Sequence, residues 1–173
     1  MTGLPPHERC RRGIGRSYQI PHPFGGMTVF ENVLVAATFG GRSRERAAYP
    51  LCLDLLEHTG LAPRANRLAG SLGLLDRKRL ELARALGTRP ELLLLDEIAG
   101  GLTEAESGEI VALILKIKQR GVAMIWIEHV VHALLRVADR LLVLNGGTAL
   151  AEGEPARVMA DPEVQRVYLG IEA

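Results

Sequence analysis

Leu92-Leu93-Leu94-Leu95-Asp96-Glu97 decides the fold. Four consecutive leucines are too few for a helix of ordinary length, so the run predicts a short strand buried on both faces and ending in two carboxylates. After it, Glu104 to Arg120 reads as a helix ended by Gly121, and Val122 to Ile127 as a second apolar strand that runs into Glu128-His129. Strand, helix, strand is the pattern of a parallel pair. Both polar strand ends then share one edge of the sheet, the edge at which open α/β sheets bind ligands.

Further along the chain, Val130 to Ala138 reads as helix. Leu141 to Leu144 and Thr148 to Ala151 flank Asn145-Gly146-Gly147, a hairpin turn. Asp161-Pro162 opens a last helix with proline at its first position.

Towards the start, Asp76 to Leu86 is an amphipathic helix ended by Gly87, with Leu80, Ala83 and Leu86 on one face and Arg77, Lys78 and Arg84 on others. Arg42 to Thr59 reads as a helix broken or kinked at Pro50, with Leu51, Leu55 and Leu56 as its apolar stripe. Thr28 and Glu31 have capping-box spacing before Phe30, Val33, Leu34 and Ala37. Tyr18 to Gly26, with Pro21, Pro23, Gly25 and Gly26, excludes regular structure, and Met1 to Ser17 reads as loop or a fraying end. The expected architecture is part of a mostly parallel α/β sheet with a helical region inserted before it.

Composition narrows the function. The 173 residues are 47% hydrophobic and 24% charged, ordinary for a globular chain, and the net charge is +1. That balance, with 4% aromatic residues, speaks against nucleic acid or an anionic membrane as the main partner. No apolar run approaches membrane-spanning length, so no insertion into a membrane is expected. Two isolated cysteines, Cys10 and Cys52, predict inert thiols in a reducing compartment.

Three places carry chemistry. Asp96 and Glu97 sit at a strand end, where one carboxylate can hold Mg²⁺ and its neighbour can polarise a water; an ordinary Asp-Glu turn after a core strand is the plain alternative. His129, at the end of the second strand, can donate to a phosphate oxygen or be structural. Gln19, in the Pro/Gly-rich loop, can bind a metal-associated water or orient a nucleophile, or be a solvated loop amide.

The order of these elements resembles the ATP-binding subunit of ABC transporters, most closely the branched-chain amino-acid uptake group. The resemblance rests on Thr2-Gly3-Leu4-Pro5-Pro6-His7, Gln19-Ile20-Pro21 with Pro23-Phe24, and Arg79-Leu80-Glu81-Leu82-Ala83-Arg84-Ala85-Leu86. Asp96-Glu97, Glu128-His129, Ala138-Asp139-Arg140, Ala151-Glu152-Gly153-Glu154-Pro155 and Tyr168-Leu169-Gly170 complete it. It implies the C-terminal part of a P-loop NTPase domain of ABC type. Residues 1–17 would be a remnant of the core. Residues 18–90 would hold the glutamine loop and helical subdomain, and residues 91–173 the core half with its C-terminal hairpin and helices.

By the same resemblance, Asp96 and Gln19 attend Mg²⁺, Glu97 is the general base or water-orienting residue, and His129 is the switch histidine. Gly101 and Thr103 lie in the D-loop, while Gly73 and Asp76 belong to the signature. ATP is the expected cofactor. Expected partners are the membrane permease subunits of an importer and a second ATP-binding subunit, identical or not, on the cytoplasmic face of the inner membrane.

Departures accompany the likeness. The signature position, Leu72-Gly73-Leu74-Leu75-Asp76, lacks the serine, the second glycine and the glutamine; Leu68-Ala69-Gly70-Ser71 looks closer but lies at the wrong distance from Asp96. Ile98 stands where proline is usual. No lysine among Lys78, Lys116 and Lys118 follows a glycine, so no Walker A phosphate loop is present. Losing three charge-assisted hydrogen bonds to phosphate costs roughly 4.5–9 kcal/mol. The expectation is therefore a member missing its N-terminal part, unable to bind ATP alone, with unpaired strand edges at the Leu92 and Val122 strands and a tendency to aggregate. A non-catalytic module docking on the permease is the second reading; a chromosome-maintenance or repair ATPase fits the charge balance and glutamine-loop region less well.

Overall fold

The computed structural model describes residues 2–169. Gly170 of the tail resemblance lies outside them. Contacts divide the chain into two compact units, Met1–Val130 and Val131–Ala173, a boundary that falls inside the 91–173 segment expected from sequence.

The first unit corrects the reading of its own start. Residues before Ser17 are ordered as helix α1, Pro6–Arg11, and strand β1, Ile14–Arg16. With three residues, β1 is too short to show alternation, and its order comes from a partner far along the chain: Ile14, Gly15 and Arg16 pair in parallel with Leu92, Leu93 and Leu94. Gly15 lies in a tight place, where a Cβ would sit 3.0 Å from Pro90 Cβ.

Helix α2, Val29–Val35, begins at the capping box read from sequence: Thr28 accepts from the Glu31 N–H, and Glu31 accepts from the Thr28 N–H. It runs on as a π-turn over Ala36–Gly40. Arg42 then takes φ 55°, outside any helix. Helix α3 therefore spans Glu45–His58, shorter at its start than expected, and passes through Pro50 without ending. Pro50 has no N–H for the carbonyl of Arg46, but buried Cys52, Leu55 and Leu56 pin the turns that follow. Burial raises the pKa of the Cys52 thiol, and both cysteines are free.

Helix α4, Leu74–Gly87, starts two residues before the expected Asp76. It packs with α2 and α3 around Val29, Val33, Leu55, Leu56, Leu80 and Leu82. Strand β2, Leu92–Asp96, follows; then helix α5, Glu104–Gln119; then strand β3, Ala123–Ile127, parallel to β2 in the register Leu92–Ala123 to Asp96–Ile127.

The sheet order is β1-β2-β3, so β2 is central and paired on both sides, contrary to the unpaired edge expected there, while β3 is an edge strand among the described residues, as expected of the Val122 strand. The expectation of burial on both faces also fails. Leu93 and Leu95 are enclosed, but Leu92 and Leu94 are only half-buried, and Ile125 and Ile127 beside them are exposed. Four leucines carry no polar alternation, so the sequence cannot tell a strand covered on two faces from one covered on one.

The second unit holds helix α6, Val131–Leu135, shorter than expected, and a hairpin of β4, Leu141–Asn145, with β5, Thr148–Gly153. Asn145 pairs with Thr148, leaving Gly146 and Gly147 as a two-residue turn with φ of 56° and 82°, as the hairpin signal required. Helix α7, Pro155–Met159, is capped by Glu154, and helix α8, Pro162–Val164, by Asp161, each with proline at its start.

Candidate functional site

Within the first unit the ends of β2 and β3 bring three predicted residues together. Glu97 follows β2 in a left-handed conformation, φ 42°. Its Oε2 accepts a 2.6 Å hydrogen bond from Gln19 Nε2 and lies 3.4 Å from His129 Nδ1. Gln19 comes from the segment after β1 and His129 from the end of β3, so three separate stretches of chain meet at one carboxylate. They line a cleft of about 300 Å³ with Ile20, Leu74, Gly100 and Gly101.

Asp96 has a different neighbour. Its Oδ2 is 3.1 Å from Arg16 Nη2, and the Arg16 guanidinium also stacks 4.8 Å from the centre of the Tyr18 ring. The remaining predicted residues separate. Gly101, at φ 75°, lines the cleft. Gly73 caps the start of α4 with open space where a Cβ would stand. The Thr103 hydroxyl is the N-cap of α5, in a capping box with Glu106. Asp76 is likewise held inside the fold, by Arg64 at 3.0 Å and Arg79 at 3.3 Å.

Two further residues stand at the cleft without a role assigned from sequence. Lys78, assigned above to an outer face of its helix, is 2% exposed. Its Nζ donates to the Glu97 carbonyl at 3.1 Å and reaches the Gln19 carbonyl at 3.5 Å. Burial lowers its pKa, opposed by the charges of Glu128 and Glu97. The signal was in the spacing: Lys78 stands four residues before buried Leu82, at a core step of α4. Glu128 is the other. Its side chain is wholly buried, with Oε1 accepting from the Ala99 N–H at 3.0 Å and Oε2 lacking a hydrogen-bond partner among the described residues. Burial raises its pKa, against the Ala99 hydrogen bond.

The donor set fits Mg²⁺ only in part. No group of three His, Cys, Asp or Glu converges on one point among the described residues. Asp96 can contribute one carboxylate, shared with Arg16, and Gln19 one carbonyl oxygen, which suits a cation that keeps water and phosphate ligands. Lys78 is committed to two carbonyls, and no glycine precedes any lysine in this sequence. No helix among the described residues is long and apolar enough to cross a membrane.

Comparison with known proteins shows what the chain is similar to. The ABC transporter family matches residues 3–100, and the family described as branched-chain amino acid ATP-binding cassette transporter matches residues 150–173. The chain is 37% identical to the high-affinity branched-chain amino acid transport ATP-binding protein BraF of Pseudomonas aeruginosa, over 98% of this chain and 72% of the relative. It matches LivG of Escherichia coli, of the same description, to the same extent. Among solved structures, the ADP conformation of MJ1267, an ATP-binding cassette of an ABC transporter, superposes with a TM-score of 0.81 at 30% identity, over 97% of this chain and 72% of that one. A nucleotide-free ATP-binding cassette from an ABC transporter gives 0.81 at 28% identity.

Proposed function

Because the chain belongs to the ABC transporter family, among its ATP-binding proteins of the branched-chain amino acid type, we propose that Glu97, Gln19 and His129 form the water-handling side of a nucleotide site that energises uptake of a small solute. Branched-chain amino acids or solutes of similar size are the proposed cargo. Permease subunits and a second ATP-binding subunit are the proposed partners, on the cytoplasmic face of the inner membrane.

The meeting of Gln19 and His129 on one Glu97 oxygen carries this reading. A carboxylate held between an amide donor and an imidazole can accept a proton from a water placed in the cleft, while the imidazole presents its other nitrogen to an anion. Asp96 stands apart with Arg16, free of the Glu97 cluster, and is assigned to the cation. ATP with Mg²⁺, if held there, would supply the phosphoryl group for attack by water. Gly73, Asp76, Gly101 and Thr103 are proposed for nucleotide contact from the partner's side, with the Thr103 hydroxyl and the Asp76 carboxylate also bonded within the chain.

This 173-residue chain, with no Gly-Lys-Ser/Thr, is proposed to be unable to bind or hydrolyse ATP by itself. Calorimetry on the purified chain tests it. The expected result is no binding in the micromolar range, and micromolar binding abolished by Glu97→Gln or Asp96→Ala would overturn it.

A second reading, docking on the permease without catalysis, is favoured by the exposure of Ile20 and Phe24 in the glutamine loop. Capture of permease subunits that survives Glu97→Gln but is lost on Ile20→Asp would select it.

A further inference from the structure

Glu97 is held in a backbone conformation that residues with side chains rarely adopt, and such conformations persist only where the surroundings over-determine them. Three hydrogen bonds do so here. The Glu97 N–H donates to the Ile127 carbonyl at 2.9 Å, and the Glu97 carbonyl accepts from the Gly100 N–H at 3.1 Å. The third comes from Lys78 Nζ, also at 3.1 Å, and the same ammonium extends to the Gln19 carbonyl.

Burying an ammonium is costly unless its charge and its donors are met. The helix step at 78 is a core step, where an apolar side chain would pack at no such cost. What the lysine adds is reach: one group touching chain segments 59 and 19 residues away, with buried Glu128 supplying charge of opposite sign. The two segments it touches are those that carry Gln19 and Glu97, whose side chains meet at 2.6 Å.

We propose that Lys78 is a positioning residue whose ammonium pins the backbone at Gln19 to the turn at Glu97, so that helix α4 sets the geometry of the Gln19–Glu97 pair. This rests on the reading of that pair as the functional site. It predicts that a displacement of α4 moves both members together, and that without the ammonium they drift independently.

Amide hydrogen exchange by NMR on the full chain tests it, with Lys78→Met as the variant and Thr28→Ala, a helix-cap loss elsewhere in the same unit, as the control. Protection at Glu97 and Gly100, taken relative to Ile110 and Ile114 in α5, should fall about tenfold in Lys78→Met, the worth of one charge-assisted hydrogen bond. It should be unchanged in Thr28→Ala. The Gln19 side-chain amide resonance should also move in Lys78→Met. If Lys78→Met fails to fold, the double variant Lys78→Met with Glu128→Gln removes both buried charges and is expected to show the same loss. Wild-type relative protection in either variant overturns the proposal. The site reading is tested separately: a Gln19 side-chain resonance unmoved by Glu97→Ala removes the pair, and a loss of protection in Lys78→Met would then leave the tether without a site to position.

Discussion

The guanidinium of Arg16 pairs with the Asp96 carboxylate, Nη2 to Oδ2 at 3.1 Å, across the β1–β2 strands. Arg16 faces Leu94 in the register and leans along the strand to reach the carboxylate two positions on. The carboxylate assigned to a cation thus already has a cation of its own. Both side chains are substantially exposed, so Arg16→Leu should change stability by less than about 1 kcal/mol. Urea unfolding measures that change. Binding of Mn²⁺, followed by electron paramagnetic resonance, should tighten in Arg16→Leu and vanish in Asp96→Asn.

The capping box of α2 offers a second test. Thr28 accepts from the Glu31 N–H at 3.1 Å and Glu31 answers at 2.7 Å. Thr28→Ala should lower the unfolding free energy by about 1 kcal/mol. The same pair holds the Glu31 carboxyl below its usual pKa through the Thr28 backbone and side-chain hydrogen bonds. Acid should therefore weaken this cap, and the variant's deficit should shrink as pH falls through the carboxylate range.

Packing predicts a contrast across one strand pair. Leu93 is fully buried at the centre of the sheet. Leu93→Ala should cost about 2–5 kcal/mol, seen as a large fall in the urea midpoint. Ile125→Thr, on the exposed face of β3, should cost less than about 0.5 kcal/mol.

Buried carboxylates give the fourth prediction. Burial raises the pKa of Glu81, opposed by Arg84 at 2.9 Å, and burial likewise raises that of Glu128. From the ordinary value of 4.5 upward, the folded chain keeps protons that the unfolded chain has released. Stability contributed at these sites therefore falls as pH rises through that window. Glu81→Gln should flatten the slope, measured as urea midpoints from acid toward neutral pH.

Much of the fold was legible because its signals are local. Thr28 with Glu31, Gly121 after α5, Asn145-Gly146-Gly147 and Asp161-Pro162 each satisfy a backbone need within a few residues, and each is found where the sequence places it. The misses are non-local. β1 is a strand only because Leu92–Leu94 lies beside it. Pro50 was read by its missing N–H, whereas the packing of Cys52, Leu55 and Leu56 carries α3 onward.

The candidate site divides in the same way. Glu97, His129 and Gln19 are candidates because the order of their segments resembles the family, and the structure brings them together. Lys78 was read by its charge and placed outside, although its spacing placed it with Leu82. Arg16 was invisible because its partner lies 80 residues away.

The two neighbouring carboxylates answer to different parts of the chain: Asp96 to Arg16 on β1, Glu97 to Gln19 and His129. The phase of β2 places Asp96, while Glu97 follows the strand in a left-handed turn tied to Ile127 and Lys78. On the proposed reading, a point substitution at either position should alter one role and leave the other standing. The loss of a single residue within Leu92–Leu95 would instead shift the register by one, bringing Glu97 to the place of Asp96 and Ile98 to that of Glu97. Chains of this design should consequently diverge by exchange of side chains in β2 and keep its length.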